Sequence, residues 1–571
     1  MRSVLARAAV VVLLALVVAP GQTAGPVAAA EAQEPGVVRL TAGPDSSIGI
    51  DGAFPPRPDE CAAKQPRNLH AAYRGILEIG RRANGKLYLV AELTFAEYLS
   101  GIAEVPRSWP LESLKAQVVA ARTYAIKHLN PSDDTAKELR YDLCATDACQ
   151  VFRGLNVEKG AWGEAWVRAV TETTGEVLEH DGKTANTFYF STSNGQTYSN
   201  VDAFGGTALP YLKPVQETDD TASPVSSWNV RMPLEDLAAT LKRRGLWEGP
   251  MDSIEQRGGS VHLAGGGRTA ELTLEDLRIK LNNESVCLTP KRYPTKGANG
   301  RNYPQVIPSK WYSVKQEGRE AVFDGRGWGH GVGMVQWGAY GKAQRGMSHA
   351  DILAFYYGGL RPVAKPEPDR IRVALATNLD SIVIERRGDV QVSGATLPEG
   401  PVKFMGGDQL KTESASPIAP LLKVNNLTVT STTMNAAPGV TGTAAALGFE
   451  LSDPARVRVK YEGPTSGTGP EEPRDRGATT LNWDDPAVPA GTYKLTIEAA
   501  DGVDNVTSEP VEVQVERTGV APPKLTATAQ ADDAGPSPGP RLALFAALAL
   551  AAAGGGAFWV KRNRRKRGAL P

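Results

Sequence analysis

Glycine stands at every second position from Gly325 to Gly333, in the run Gly325-Arg-Gly-Trp-Gly-His-Gly-Val-Gly333. Few patterns restrict a backbone more. In an extended strand, side chains alternate between faces, so this spacing leaves one face bare and sends Arg326, Trp328, His330 and Val332 to the other. A bare face admits very close approach of another backbone or of a flat ligand such as a sugar ring. Tight strand packing alone explains the same pattern, and His330 fits a packed, hydrogen-bonded histidine as well as a chemical one. The run is not a phosphate loop, because it lacks the lysine and hydroxyl of GxxxxGK[ST].

Two further segments carry polar chemistry. An apolar strand from Thr187 to Phe190 runs into Ser191-Thr-Ser-Asn-Gly-Gln-Thr197, where hydroxyls and amides either bind sugar hydroxyls or make an ordinary turn. No GxSxG elbow accompanies it, so nothing argues for a serine hydrolase. Upstream, Thr94-Phe-Ala-Glu97 reads as a capping box opening a short helix through Ile102, and Ser108-Trp109-Pro110 starts a longer one. Leu111, Leu114, Val118, Ala121 and Ala125 share one face of that longer helix. The connector between the helices holds Glu104, with Ile102, Val105 and Trp109 as apolar neighbours. A dry setting raises a carboxyl's pKa and keeps it protonated as a general acid; a solvated surface glutamate is the alternative. Before the capping box, Tyr73 to Glu92 alternates as half-buried strands do, with Asn84-Gly85 as the hairpin turn.

The chain ends have their own character. Arg2 and Arg7 precede an apolar run from Ala8 to Ala19, then Pro20-Gly21 and Ala28-Ala29-Ala30, the order of a signal peptide over residues 1–30. Leu542 to Val560 is apolar or glycine throughout and six basic residues follow it, which predicts a single transmembrane helix over 541–560 and a basic cytoplasmic tail over 561–571. The expected localisation is therefore secretion and anchoring by that helix, with the bulk extracellular. Setting aside the two arginines of the first 30 residues and the six basic residues after Val560 leaves 55 basic against 63 acidic. A mildly acidic remainder excludes nucleic acid as a partner and suits an uncharged carbohydrate. Its 59 glycines and 41 prolines exceed average usage without reaching that of a disordered chain.

The four cysteines, Cys61, Cys144, Cys149 and Cys287, suit disulfides in an exported protein. Cys144 and Cys149 would close a small loop. A zinc site competes, but two Cys with no His beside them supply too few ligands. The sequence changes near residue 415: from Leu427 to Glu516 short alternating runs such as Arg456–Tyr461, Tyr493–Glu498 and Val511–Val515 lie between Gly, Pro and Asp turns, as in a β-sandwich.

Five segments in order resemble the stage II sporulation protein D family: Tyr98 to Pro106 (YLSGIAEVP), Trp109 to Tyr124, Cys144 to Gly154, Phe190 to Gly195, and Gly327 to Gly338 (GWGHGVGMVQWG). The resemblance covers roughly 70–375. It implies a peptidoglycan lytic transglycosylase that cleaves the N-acetylmuramyl to N-acetylglucosamine bond of glycan stripped of stem peptides, leaving 1,6-anhydro ends. The family's catalytic acid falls on Glu104, in Glu-Val-Pro where Glu-Met-Pro is common. Ser-Asn-Gly stands where Ser-Gly-Gly is usual. Some members bind zinc through a His beside the second Cys; Ala148 stands there, so the resemblance implies a disulfide, no metal and no cofactor. Ser191, Ser193, Gln196, His330 and Gln336 are the expected substrate-positioning residues, with Trp328 or Trp337 stacking on a sugar. Partners implied are peptidoglycan glycan strands, the membrane and, because related proteins enhance cell-wall amidases, such an amidase. A non-catalytic glycan-binding module that recruits or activates the amidase is the alternative function.

The expected fold class is an α+β catalytic domain with mixed helices and strands, a C-terminal all-β immunoglobulin-like sandwich and a single transmembrane helix. The expected organisation is signal peptide 1–30, glycan-cleaving domain 31–414, sandwich 415–517, flexible linker 518–540, then helix and tail.

Overall fold

The hairpin at Asn84-Gly85 starts the main sheet. Gly85 takes φ +78°, Asn84 Oδ1 accepts from the Lys86 amide at 3.0 Å, and strands Ile76–Arg81 and Leu87–Thr94 pair antiparallel on either side. Both strands are more deeply buried than alternation implies, with Leu87 to Ala91 all inaccessible or nearly so. The reason is their place in the middle of a six-stranded sheet, ordered Val390–Ser393, Val37–Ala42, Ile76–Arg81, Leu87–Thr94, Arg370–Leu379, Leu143–Cys144. A five-stranded sheet, in which Ser47–Ala53 lies between Asn68–Tyr73 and Ser381–Arg387, shares one apolar core with it. Strands from both ends of the 37–414 stretch therefore meet in the same layers.

These coordinates are a computed structural model that describes residues 36–53, 68–283, 295–300, 302–303, 307–431, 444–484, 488–489, 491–516 and 524–528. The chain divides into two compact units, Met1–Ala527 and Thr528–Pro571. Of the second, Thr528 alone is described. The expected signal peptide, Cys61, Cys287, the 541–560 helix and the basic tail lie outside the described residues.

The membrane expectation is corrected here. Among the described residues no helix is long and apolar enough to cross a membrane. The apolar run that prompted the expectation is itself outside them, so neither the transmembrane helix nor the membrane-anchored localisation is retained. Within the expected linker, Lys524–Thr528 forms a strand.

Thr94 ends the central strand and caps the next helix. Its hydroxyl accepts from the Glu97 amide (3.3 Å) while Glu97 Oε2 accepts from the Thr94 amide (2.9 Å), so two orphan amides at the start of Phe95–Ser100 are satisfied reciprocally. The helix Leu111–Lys127 follows Pro110. Its Leu114, Val118, Ala121 and Ala125 pack into the sheet core, as their spacing predicts. Its other side, Ala116, Val119 and Ala120, packs into a second core with Phe190, Val332, Met334 and Tyr356. Apolar on both sides, this helix is a pillar between the sheets and the segments that carry the glycine run.

A module that the sequence reading folded into one long domain has a core of its own. Strands Trp228–Pro233 and Glu320–Gly325 pair antiparallel with Trp228 opposite Gly325, so the chain leaves and re-enters at one point. Between them, helices Leu234–Arg243 and Leu274–Asn283 and the meander Ser253–Arg257, Ser260–Gly265, Arg268–Thr273 close around Leu237, Val261, Leu277 and Phe323. Beyond residue 423, Val424–Ser431, Ala444–Leu451 and Gly477–Asp484 form one sheet. Ala455–Glu462, Gly491–Ala500 and Val511–Glu516 lie in another, and both contribute to one core around Trp483 and Tyr493.

Candidate active site

The glycine run is not a strand. After Glu320–Gly325 the chain loops, and Gly327, Gly329, Gly331 and Gly333 have φ of +73°, +112°, +89° and +76°. Alternate residues in the left-handed region reproduce the period of two that the sequence reading took for an extended strand. Physical need is clearest at two positions. A Cβ on Gly327 would come within 2.6 Å of the Thr192 carbonyl oxygen, and one on Gly333 would fall on the carbonyl of Phe188. The loop is laced to the Phe188–Ser193 segment: Thr192 and Trp328 exchange backbone hydrogen bonds (3.1 and 2.9 Å) and Met334 donates to Phe188 (3.1 Å). Tyr189–Phe190 and Met334–Val335 then pair in parallel. The result is one wall of a cavity of about 680 Å³.

Glu104 lines the same cavity from the connector between the two helices, a second wall. Gly101 ends the capped helix, and the connector is pinned by Ala103 donating to the Val151 carbonyl (2.8 Å) and by pairing of Ile102 with Phe152. That register aims the Val151 amide at Glu104 Oε1, 2.6 Å away. Cys144 and Cys149 are joined in a disulfide with Cα atoms 5.4 Å apart, which ties off the loop delivering Val151. A relay arrives from the core: Tyr98 Oη donates to Gln150 Oε1 (2.6 Å) and Gln150 Nε2 donates to Tyr189 Oη (2.9 Å). With its oxygen accepting from Gln150 in this way, the Tyr189 hydroxyl gives its proton to Glu104. Burial pushes the Glu104 carboxyl up to about 7, the Val151 and Tyr189 hydrogen bonds pull it down, and the Asp147 charge pushes it up again. A carboxyl so poised can hold and give a proton near neutral pH.

His330, half-buried on the glycine wall, sits among Phe188, Phe190 and Phe204 with ring centroids 6.1, 5.6 and 5.2 Å away. Its Nδ1 accepts from the Val332 amide (3.1 Å), which leaves the proton on Nε2 to donate to the Tyr189 carbonyl. Burial pushes its pKa down to about 4, opposed by the Tyr189 bond and assisted by the Lys310 charge. It is a neutral ring with both nitrogens occupied, and it fixes the strand that carries Tyr189.

Of the residues singled out from sequence, Glu104, Ser191, Trp328, His330, Gln336 and Cys149 line the cavity. Gln336 also donates to the Glu104 carbonyl (3.3 Å) and to Gln117 Oε1 (3.2 Å), bridging the two walls. Cys144 does not line it, and three of the expected sugar-contacting residues lie elsewhere. Ser193 is buried, with its hydroxyl and amide both donating to Asp220 at 2.7 Å. Gln196 accepts from Gln216 (3.2 Å). Trp337 packs against Trp109 and Tyr340, centroids 4.8 and 5.3 Å away. Sequence reasoning missed Tyr189 and Gln150, although both fall within or beside the quoted motifs. It also missed Glu275, Arg278 and Lys310, which the inserted module brings to the cavity and which no local pattern marks.

The sequence model of the family described as stage II sporulation protein (SpoIID) matches residues 83–180. An uncharacterized protein of Brachyspira hyodysenteriae is 32% identical over 279 residues, 48% of this chain and 68% of that protein. Stage II sporulation protein D of Bacillus subtilis is 28% identical over 283 residues, 47% of this chain and 74% of that protein. The amidase enhancer of Bacillus subtilis is 27% identical over 290 residues, covering 45% of this chain but only 38% of that protein. The matched stretch 83–180 contains Glu104, the disulfide and Val151, and ends before the glycine loop.

Proposed function

Because the chain belongs to the stage II sporulation protein D family, we propose that its cavity is a glycan cleft in which Glu104 cuts peptidoglycan as a lytic transglycosylase. The role is cell-wall related. The observation that carries the finer reading is a carboxyl at the cavity wall whose pKa is pushed up to about 7 by burial. Ordinary glycosidases need a second carboxylate, as nucleophile or as base for water. Intramolecular transfer needs one. Protonated Glu104 gives its proton to the glycosidic oxygen as the muramyl C1–O bond breaks. The carboxylate then takes the proton of the muramyl 6-hydroxyl as O6 bonds to C1, which regenerates the acid and closes the 1,6-anhydro ring without water. The attacking hydroxyl already belongs to the sugar, so the step has the entropic advantage of a reaction within one molecule. Val151 N–H and Tyr189 O–H favour the charged carboxylate, so they stabilise Glu104 between its two proton transfers. Ser191 and Gln336 hold the sugar's polar groups, and Trp328 offers an aromatic face.

One finding favours a second reading. A relative bears the name amidase enhancer, and under that reading the cleft grips glycan and activates an amidase without cutting. One experiment separates the two. The protein is incubated with stem-peptide-free glycan and the products are analysed by mass spectrometry. Cleavage by Glu104 yields 1,6-anhydromuramyl ends, and Glu104→Gln lowers their formation by about 10³-fold. Binding with no anhydro ends from the unaltered protein sinks the transglycosylase and leaves the amidase reading.

A further inference from the structure

Three groups that the inserted module contributes to the cavity are charged: Glu275, Arg278 and Lys310. Two cancel. Arg278 Nε and Nη2 donate to the two Glu275 oxygens at 2.8 and 2.6 Å. Lys310 differs. It is half-buried, and among the described residues no carboxylate lies within ion-pairing distance of its ammonium. Its position is fixed rather than floppy: Ser309, before it, is buried and donates to the Arg326 carbonyl at 2.5 Å. Trp311, after it, stacks on Tyr198 with centroids 5.4 Å apart and planes 15° from parallel. The Lys310 ammonium itself stands 5.5 Å from the centre of the same Tyr198 ring. Its charge reaches across the cavity, since it disfavours protonation of His330. A cation that no described carboxylate neutralises, held between two anchored neighbours in the cavity that also holds Glu104, complements an anionic group on a ligand.

We propose that Lys310 is the residue that reads a carboxylate on the bound sugar, the free lactyl group of a muramic acid, and so supplies the preference for peptide-free glycan that the family resemblance implies. This rests on the glycan reading of the cavity. In a peptidoglycan strand the backbone sugars are uncharged except for that lactyl carboxylate. It is an amide, and neutral, wherever a peptide is attached. An ammonium makes a charge-assisted hydrogen bond to the free acid and only an ordinary one to the amide carbonyl. Steric exclusion of the peptide is therefore not needed for discrimination.

The test uses the full chain carrying Glu104→Gln, which arrests cleavage, and calorimetric titration with three oligosaccharides of equal length. One is muramyl glycan with free lactyl carboxylates, the second is the same glycan with those groups converted to methylamides, and the third is chitooligosaccharide, which has none. Lys310 as reader gives at least tenfold tighter binding of the free acid than of the amide. Adding Lys310→Met brings the two within about twofold by weakening the free acid alone, while Lys310→Arg retains the preference. Chitooligosaccharide affinity stays unchanged in both variants. Equal binding of acid and amide by the Lys310-containing protein overturns the inference and leaves the glycan cleft standing. So does a preference that survives Lys310→Met. Loss of chitooligosaccharide binding with Lys310→Met would assign the lysine a structural role and overturns it as well. Failure to bind any of the three overturns the glycan reading itself, and this inference with it.

Discussion

Glu104 and His330 line one cavity from two different segments, and the same physical cause acts on both. Burial penalises the charged form of each, pushing the acid up to about 7 and the base down to about 4. The outcomes diverge because neutrality means opposite things for them. A neutral carboxyl still carries a proton to give, whereas a neutral imidazole whose Nδ1 and Nε2 already serve Val332 and Tyr189 has neither a free lone pair nor a free proton. Under the transglycosylase reading Glu104 is a reagent, whereas His330 is a brace. Perturbed titration alone would have nominated both; counting hydrogen bonds separates them.

The brace is broken most severely at the glycines. Gly333→Ala puts a methyl group on the Phe188 carbonyl, which already accepts from the Met334 amide and from Tyr357 Oη (2.8 Å), at a φ of +76°. The expected loss is roughly 3 kcal/mol or more, read by urea unfolding. Gly205→Ala is the matched control. Its φ is +74° but nothing lies within 4 Å of the added carbon, so it loses the backbone cost alone, about 1–3 kcal/mol for an extended backbone at positive φ, against that cost plus the clash at Gly333. Equal losses for the two would mean that backbone strain, not close approach of the walls, fixes the glycine spacing.

His330→Asn comes next. Asn can still accept from the Val332 amide but is too short to reach the Tyr189 carbonyl, so about 1–2 kcal/mol of stability goes with that bond. If His330 is a brace, the pH dependence of glycan cleavage does not follow it. Under the transglycosylase reading activity requires protonated Glu104, so the rate is level at low pH and falls as pH rises through about 7, in the variant as in the parent. A limb that moves or disappears in His330→Asn would make the histidine a participant in proton transfer.

The two walls were unequally legible. The capping box at Thr94 and the Asn84-Gly85 turn are local devices whose chemistry lies within four residues, and they stand where the pattern put them. Glu104 was found as a carboxylate in a tight apolar connector, but what tunes it is distant in sequence: Val151, Tyr189 and, behind them, Gln150 and Tyr98. The glycine run misled because a period of two belongs both to a strand and to a loop alternating into the left-handed region. Only the neighbours that a Cβ would strike decide between them, and those neighbours are at 188–193. Lys310 carried no signal, since nothing in the sequence reveals that an inserted module folds back onto the cavity. The same blindness let 541–560 be assigned from composition alone.

The smallest effect tests the reagent wall through stability. In the folded protein the Glu104 pKa, about 7, lies above the ordinary 4.5, so the native state holds that proton more tightly than the unfolded chain does. The stabilisation this gives is complete below about pH 4.5 and is lost as pH rises through 7, where the carboxylate must ionise at a partly dry site. Glu104→Gln stays neutral and can still accept from the Val151 amide, so it escapes that loss. The variant is then expected to match the parent near pH 4.5 and to exceed it at pH 8 by less than the roughly 3 kcal/mol of the full shift, since Glu104 is only half-buried and partly screened, read by urea unfolding at the two pH values. Activity and stability move in opposite directions at one residue, as they do where a site is kept strained for its chemistry. Parallel stability curves for the two proteins would mean that Glu104 ionises as freely as a surface carboxylate, and the contrast between the two walls would be gone.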